Sequence, residues 1–402
     1  MHTNSKTRGV TRVAALRTSR TWATHASFLL ATSMALAACD ESPIEPRAKL
    51  PTDGPEKPSA VINILPPGQT FPAPIAFVTG SPVGKDAKVQ VYDKTGKLMA
   101  QFYAFSAAAD FTAGVEVTLG DVNGDGFPDI VAGEGPTPGG ISPTMYAVWD
   151  GRTGTRLAEA PVYWNSFRGG TRVGAGDFDG DGKDEIFACL APGGANVGGY
   201  ATSAYVYKVG KGYPYIEFGT SLGDPNTKAW MVGGCHIAGG DFNGDGRDDV
   251  IATFDGTVNS LLITDAATKE SQAWYSPLGT QYKSQLSVAA GDRDGDKKAD
   301  IMLAQISALN GQPPVGIVDG SKISFTAFLP TPTIVKPFNL WWATGLTIAA
   351  RDVDGDGVID LLAKPTTMLG QSGFSAFKAP TFLNYFFSMV ESAVVGNGGP
   401  IG

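Results

Sequence analysis

Five nine-residue segments place oxygen-bearing side chains at positions 1, 3, 5 and 9. They read DVNGDGFPD from Asp121, DFDGDGKDE from Asp177, DFNGDGRDD from Asp241, DRDGDKKAD from Asp292 and DVDGDGVID from Asp352. The candidate ligands are Asp121, Asn123, Asp125 and Asp129; Asp177, Asp179, Asp181 and Glu185; Asp241, Asn243, Asp245 and Asp249; Asp292, Asp294, Asp296 and Asp300; and Asp352, Asp354, Asp356 and Asp360. Carboxylates this close repel one another unless a cation lies among them. Alternate residues aim at one point only where the chain turns sharply, which glycine permits. Gly126, Gly182, Gly246 and Gly357 hold position 6, and Lys297 replaces glycine in the fourth copy. A hard, oxygen-preferring ion is the expected occupant, and calcium fits best, with up to five ions. Asp, Asn and Gly also make ordinary polar turns, but five copies sharing four ligand positions point to metal. The fourth loop is the weakest candidate, crowded by Lys297 and Lys298.

The residues behind the loops say what positions them. An EF-hand needs a bidentate Glu at position 12 and then a helix. Position 12 is instead Ala132, Ala188, Ala252, Leu303 and Ala363, inside short aliphatic runs such as Ile130-Val131-Ala132 and Val250-Ile251-Ala252. Such runs after a turn are strands, so each loop joins one strand to the next. Loop starts are 56, 64, 51 and 60 residues apart, a period that suggests propeller blades. A large apolar residue stands ten positions before each loop: Phe111, Phe167, Met231, Tyr282 and Trp342. A third strand follows each loop, as in Tyr146–Asp150 and Leu261–Asp265.

The chain ends carry a further expectation. Ile75–Gly80 and Val89–Asp93 match the strands after a loop, so the chain opens inside a sixth unit that lacks its first strand. Phe387 stands ten residues before Asn397, so 387–397 is expected to supply that strand and close the ring, removing exposed edges. The expected fold is all-β, a six-bladed β-propeller closed by the C-terminal strand, with seven or five blades as alternatives.

These residues resemble the FG-GAP repeats of integrin α-subunits and of many secreted bacterial proteins. The resemblance covers about 75–402 and rests on the D-x-[D/N]-x-D-G-x-x-[D/E] loop before an apolar strand. Glu185 departs from it at position 9, and the name-giving FG and GAP pieces are poorly kept. The resemblance implies a calcium-stabilised, extracellular propeller and no single function.

The remaining sequence sets location and partners. Residues 1–38 hold no acid, carry a basic start (Lys6, Arg8, Arg12, Arg17, Arg20), and run from Ala26 to Ala38 as a short apolar stretch. That is a signal peptide and too brief for a membrane span. It ends in Leu36-Ala37-Ala38-Cys39, which resembles a bacterial lipobox, so Cys39 is the expected lipidation site and membrane anchor. The leaflet stays open, so the expected location is the cell envelope: outer membrane, cell surface or periplasmic face. Residues 39–74 hold nine prolines and read as a semi-rigid linker to the propeller at 75–402. Net charge is −8, with 18 of 39 acids serving as candidate loop ligands, and no basic stripe suggests nucleic acid. Pairing of Cys189 with Cys235 stays open, and two buried free thiols are expected.

Catalysis is not expected. The mature chain has one histidine, His236, read as a satisfied core residue, and no G-x-S-x-G or H-E-x-x-H motif. Glu134, Glu159 and Glu217 are acids outside the loops, and nothing singles one out. Binding of a glycan or protein, as in surface adhesion, is the preferred reading, and a secreted polysaccharide lyase or glycosidase is the alternative. Trp164, Trp230 and Trp341 are candidate ligand-gripping aromatics, although wedging between blades is their plainer role. Long polar loops at 133–144, 190–203, 304–314 and 363–373 belong to the end opposite the acidic loops.

Overall fold

A mostly buried first strand, followed after each acidic loop by a wholly buried second strand, recurs along a chain organised into six antiparallel sheets. The computed structural model describes residues 63–402 apart from 106–112, 138–142, 164–166, 192–203, 210–215, 219–233, 255–259, 280–284, 308–313, 326–329, 338–344, 367–371, 383–384 and 392–402. Phe77–Gly80 (β1), Lys88–Tyr92 (β2) and Leu98–Tyr103 (β3) form a three-stranded sheet. Four strands each build the others. The second sheet is Val115–Gly120 (β4), Asp129–Glu134 (β5), Met145–Trp149 (β6) and Arg156–Pro161 (β7). The third is Thr171–Gly176 (β8), Glu185–Leu190 (β9), Ala204–Tyr207 (β10) and Ile216–Phe218 (β11). The fourth is Cys235–Gly240 (β12), Asp249–Phe254 (β13), Ser260–Thr264 (β14) and Ser271–Tyr275 (β15). The fifth is Leu286–Gly291 (β16), Asp300–Gln305 (β17), Val315–Val318 (β18) and Thr333–Val335 (β19). The sixth is Leu346–Arg351 (β20), Asp360–Pro365 (β21), Ser372–Phe377 (β22) and Tyr385–Glu391 (β23).

The strands expected behind the loops are β5, β9, β13, β17 and β21, and every residue in them is buried. Both their faces pack on neighbours, which is why they read as unbroken apolar runs rather than alternating ones. Outer strands are far more open, as in β7 and β19. First strands contact one another in the order β4, β8, β12, β16, β20, and all five line one cavity.

Packing between sheets needs backbone-close contacts. The Phe187 ring lies where a Cβ on Gly239 would fall 2.5 Å from its Cε2, so alanine there would collide. Cys189 of β9 is disulfide-bonded to Cys235 of β12, with Cα atoms 6.1 Å apart, joining the third and fourth sheets. The expected free thiols are thus corrected: both cysteines are buried and the sheet-to-sheet approach brings them into bonding range.

Two boundary expectations also change. The first sheet lacks an inner strand, as expected, but Tyr385–Glu391 does not supply it. That segment pairs with β22 as the outer strand of the sixth sheet, Met389 opposite Phe374; the rest of 387–397, from 392, lies outside the described residues. The first sheet instead packs on both neighbours through side chains. Val78, Val89 and Val91 join Val115, Val117 and Leu119 in one cluster, and Phe77 and Tyr92 join Ala349, Leu362 and Phe374 in another. Folded structure also starts before residue 75. The Ile64 N–H donates to Gly154 O at 2.8 Å, the Phe71 N–H to Arg152 O at 2.9 Å, and Phe71 is buried. Cys39 and the signal segment lie outside the described residues. No helix among the described residues is long and apolar enough to cross a membrane.

Candidate functional site: the acidic loops and the cavity

Position 1 organises each loop. Asp121 Oδ1 accepts from the Gly124 and Asp125 N–H groups at 2.8 and 3.1 Å, and Oδ2 from Gly126 N–H at 2.8 Å. Asp177, Asp241 and Asp352 repeat this pattern. The turn requires left-handed backbone at positions 4 and 6, with φ of 78° and 82° at Gly124 and Gly126. Lys297 adopts the same conformation at φ 68°, so the fourth loop keeps the shape at the cost of strain.

Position 9 ties the loop to the rest of its sheet. Asp249 accepts from the Phe242 N–H at 3.2 Å and from Ala266 N–H, in the turn after β14, at 2.8 Å. Asp129 and Asp300 do the same with Gly151 and Gly320, both at 2.8 Å. Burial first, and then the nearest acids (Asp150, Asp179 and Asp265 respectively), push the position-9 carboxyls up to about 7 at Asp129, Glu185 and Asp249. Burial raises Asp300 to about 6 and shifts Asp360 upward. These are carboxylates short of positive charge.

Convergence on a point is direct in three loops. Oxygens of Asp177, Asp179 and Glu185, of Asp292, Asp294 and Asp300, and of Asp352, Asp354 and Asp356 lie within 4.8 Å of one another in each set. Asp179 Oδ1 and Asp354 Oδ1 are buried and have no hydrogen-bond partner. Hard oxygens with unspent lone pairs fit a divalent cation such as calcium.

The loops differ in what faces position 3. In loops one and three this residue is Asn. Asn123 Nδ2 donates to Asp150 at 3.3 Å and Asn243 Nδ2 to Asp265 at 3.1 Å, each aspartate following the third strand of its sheet. In loops two and five position 3 is Asp, and the residue after the third strand is lysine. The Lys208 ammonium pairs with Asp179, with Asp181 at 3.0 Å and with Glu185 at 3.4 Å. Lys378 pairs with Asp354 and, at 3.1 Å, with Asp356. In loop four Arg293 lies 3.3 Å from Asp300 and 3.5 Å from Asp294. Its positive charge therefore comes from Arg293. The stem of Lys298 lies instead where a Cβ on Gly244, in loop three, would meet it at 3.3 Å. Among the described residues, no Lys or Arg pairs with the acids of loops one and three. Sequence reasoning missed Asp150, Lys208, Asp265 and Lys378; their signal is the position just after each third strand.

Neighbouring loops also interlock. The position-8 N–H donates to the position-1 carbonyl of the loop before it: Asp184 to Asp121 at 2.9 Å, Asp248 to Asp177 at 2.8 Å, Ala299 to Asp241 at 2.7 Å and Ile359 to Asp292 at 2.9 Å. Asp184 and Asp248 return an acceptor to the Asp121 and Asp177 N–H groups at 2.8 and 3.0 Å. The first loop has no predecessor, and its position 8 is Pro128, which has no N–H to leave unpaired. At the other end Arg351 stands where the other first strands carry Gly120, Gly176, Gly240 and Gly291. Its Nη1 donates to Leu119 O of β4 at 3.4 Å. Burial lowers its pKa against the opposing attraction of Asp184 and Asp352.

The five first strands line a cavity of about 620 Å³. Asp241, Asp292 and Asp352 mark its loop end, and Glu116, Arg172 and His236 line it at the other. His236 is thus no satisfied core residue: its Nε2 is shut off from solvent with no hydrogen-bond partner. Of the large residues before the loops, Phe167 is buried against Tyr163. Phe111, Met231, Tyr282 and Trp342 lie outside the described residues, as do Trp164, Trp230 and Trp341. Glu134 is buried and accepts from Met145 N–H at 3.0 Å, and Glu159 pairs with Arg156 at 2.9 Å.

The chain carries FG-GAP-like repeats at residues 121–188 and 241–303. Comparison with curated proteins finds no match. Among solved structures, it is similar to AofleA from Arthrobotrys oligospora, at 12% identity and TM-score 0.47, covering 82% of this chain and 89% of that one. A variant of the Aleuria aurantia lectin in complex with Fucalpha1-6GlcNAc gives 12% identity and TM-score 0.46, covering 81% and 99%. The Bacillus licheniformis rhamnogalacturonan lyase PL11 gives 14% identity and TM-score 0.36, covering 73% and 74%.

Proposed function

We propose that this chain is a calcium-stabilised, six-bladed propeller, lipid-anchored through Cys39 at the cell envelope, that binds a glycan or a protein. The observation that carries the calcium part is the pair of buried, unpartnered carboxylate oxygens at Asp179 and Asp354, each inside a converging set of acids. Calcium would be held by positions 1, 3, 5 and 9 of each loop, where it neutralises acids that fasten a first strand to a second. The ion is structural on this reading: the loops tie strands together and to one another, and nothing in them is left to turn over a substrate. Recognition then belongs to the opposite end, where the second residues of the inner strands line the cavity.

Binding to a glycan array, or capture of a defined protein by the full chain in calcium, tests the recognition part. Silence in both would remove it. Labelling of the bacterial protein with a palmitate analogue, lost in Cys39→Ala, tests the anchor. A polysaccharide-active enzyme is the second reading, favoured by one observation: a carboxyl (Glu116), an imidazole (His236) and a guanidinium (Arg172) share one cavity. Product release from a polysaccharide panel, abolished in Glu116→Gln, would establish it in place of the first.

A further inference from the structure

The second residues of β4, β8, β12, β16 and β20 are Glu116, Arg172, His236, Ser287 and Thr347. All five line the cavity. They share one register position, so they form one layer, at the end of the strands away from the acidic loops. The cavity is lined beyond them by small residues, Gly174, Ala238, Ala289 and Ala349 among them, which leave it open.

Two members of the layer are spent on the fold. Ser287 Oγ accepts from Ile348 N–H at 3.1 Å, and Thr347 Oγ1 donates to Lys364 O at 3.3 Å. Three are not. Arg172 Nε lies 3.4 Å from Glu116 Oε1 and its Nη1 donates to Cys235 O at 3.1 Å, which leaves Nη2 over. Glu116 keeps a second oxygen. His236 Nε2 is buried without a partner. Buried polar atoms are nearly always paired in folded proteins, and an orphan beside unspent donors and acceptors marks a place for a ligand.

The charges select the ligand class. Arg172 and Glu116 cancel, so an incoming anion would have to displace Glu116 from its own partner. Burial first, and then the charge of Arg172, holds the His236 ring neutral, able to accept or donate one hydrogen bond. A guanidinium donor, a carboxylate acceptor and a neutral imidazole around one opening match adjacent hydroxyl groups. We infer that this layer binds a neutral, hydroxyl-rich ligand, the terminal residue of a glycan, entering the cavity at the end opposite the acidic loops. This rests on the glycan form of the proposed function and gives it a place and a class of sugar.

The test uses the full chain in calcium, with methyl glycosides of galactose, fucose, mannose and glucose, and with sodium galacturonate as the charged probe. His236 ring signals are assigned apart from those of His2 and His25 by comparison with His236→Gln. The expected result is that a neutral glycoside binds, shifts the His236 signals, and loses affinity about tenfold or more in His236→Gln and in Glu116→Gln. Thermal melting confirms that both variants fold, and Arg172→Lys serves as a further variant if one does not. A glycoside that binds without moving His236, and equally well to His236→Gln, overturns this site while leaving glycan binding intact. Preference for galacturonate overturns the neutral class. Binding of no probe overturns both the site and the glycan reading.

Discussion

Loops one and three differ from loops two and five by one exchange made in two places. In loops one and three position 3 is Asn and an aspartate follows the third strand; in loops two and five it is Asp and a lysine follows. The same turn thus carries either a further acid or a built-in ammonium. A lysine on the ligand oxygens relieves their repulsion without any ion. An Asn–Asp pair does not, so on the calcium reading loops one and three are expected to depend more fully on an external cation. A motif repeated five times is therefore not five equal sites.

Chelation is the largest expected effect. Extracellular modules hold calcium at roughly 10⁻⁴ to 10⁻³ M. At millimolar calcium each filled site then contributes on the order of 1 kcal/mol, so removing calcium should lower the melting temperature by several degrees. The two loop classes separate next. Lys208→Met should lower the melting temperature in EDTA by about 2–4 °C and leave it unchanged or raised in calcium. Asp265→Asn, which keeps its turn contacts, should do the reverse: little change in EDTA and weaker calcium binding. Equal behaviour of the two variants in both buffers would break the comparison.

Acidity sharpens it further. Asp129, Glu185 and Asp249 have folded-state pKa values raised to about 7, above their unfolded values. A raised carboxyl favours the folded state most below the unfolded pKa, and that advantage is lost as pH rises through about 7. In EDTA, melting should therefore rise by a few degrees between pH 7.5 and pH 5.5. Bound calcium would hold the carboxylates ionised, so the rise should vanish when it is present. The smallest effect belongs to the fourth loop: Lys297→Gly, which relieves the left-handed backbone at φ 68°, should stabilise the protein by about 1 kcal/mol in either buffer.

Local geometry explains what was legible in the sequence. The nine-residue loops and the strands behind them carry their own turn residues and patterning, so β5, β9, β13, β17 and β21 could be placed from the residues alone. Contacts across the chain could not. The residue after each third strand lies at a different distance from its loop each time, because the intervening connections vary in length, so Lys208 and Asp265 never aligned. Tyr385–Glu391 has the pattern of either an inner or an outer strand, and only its pairing with β22 decides between them. Pro128 and Arg351 were visible as departures from the repeat, yet they acquire meaning only once loops are seen to interlock with their predecessors. His236 read as core because no local pattern says that five first strands face one cavity.

Titration of calcium into chelator-stripped full chain, with a thermal melt at each step, tests the central claim most directly. Several sites are expected, two of them weakened in the Asp150→Asn and Asp265→Asn double variant, with melting that climbs most as those two fill. A melting curve identical in EDTA and in saturating calcium would contradict it.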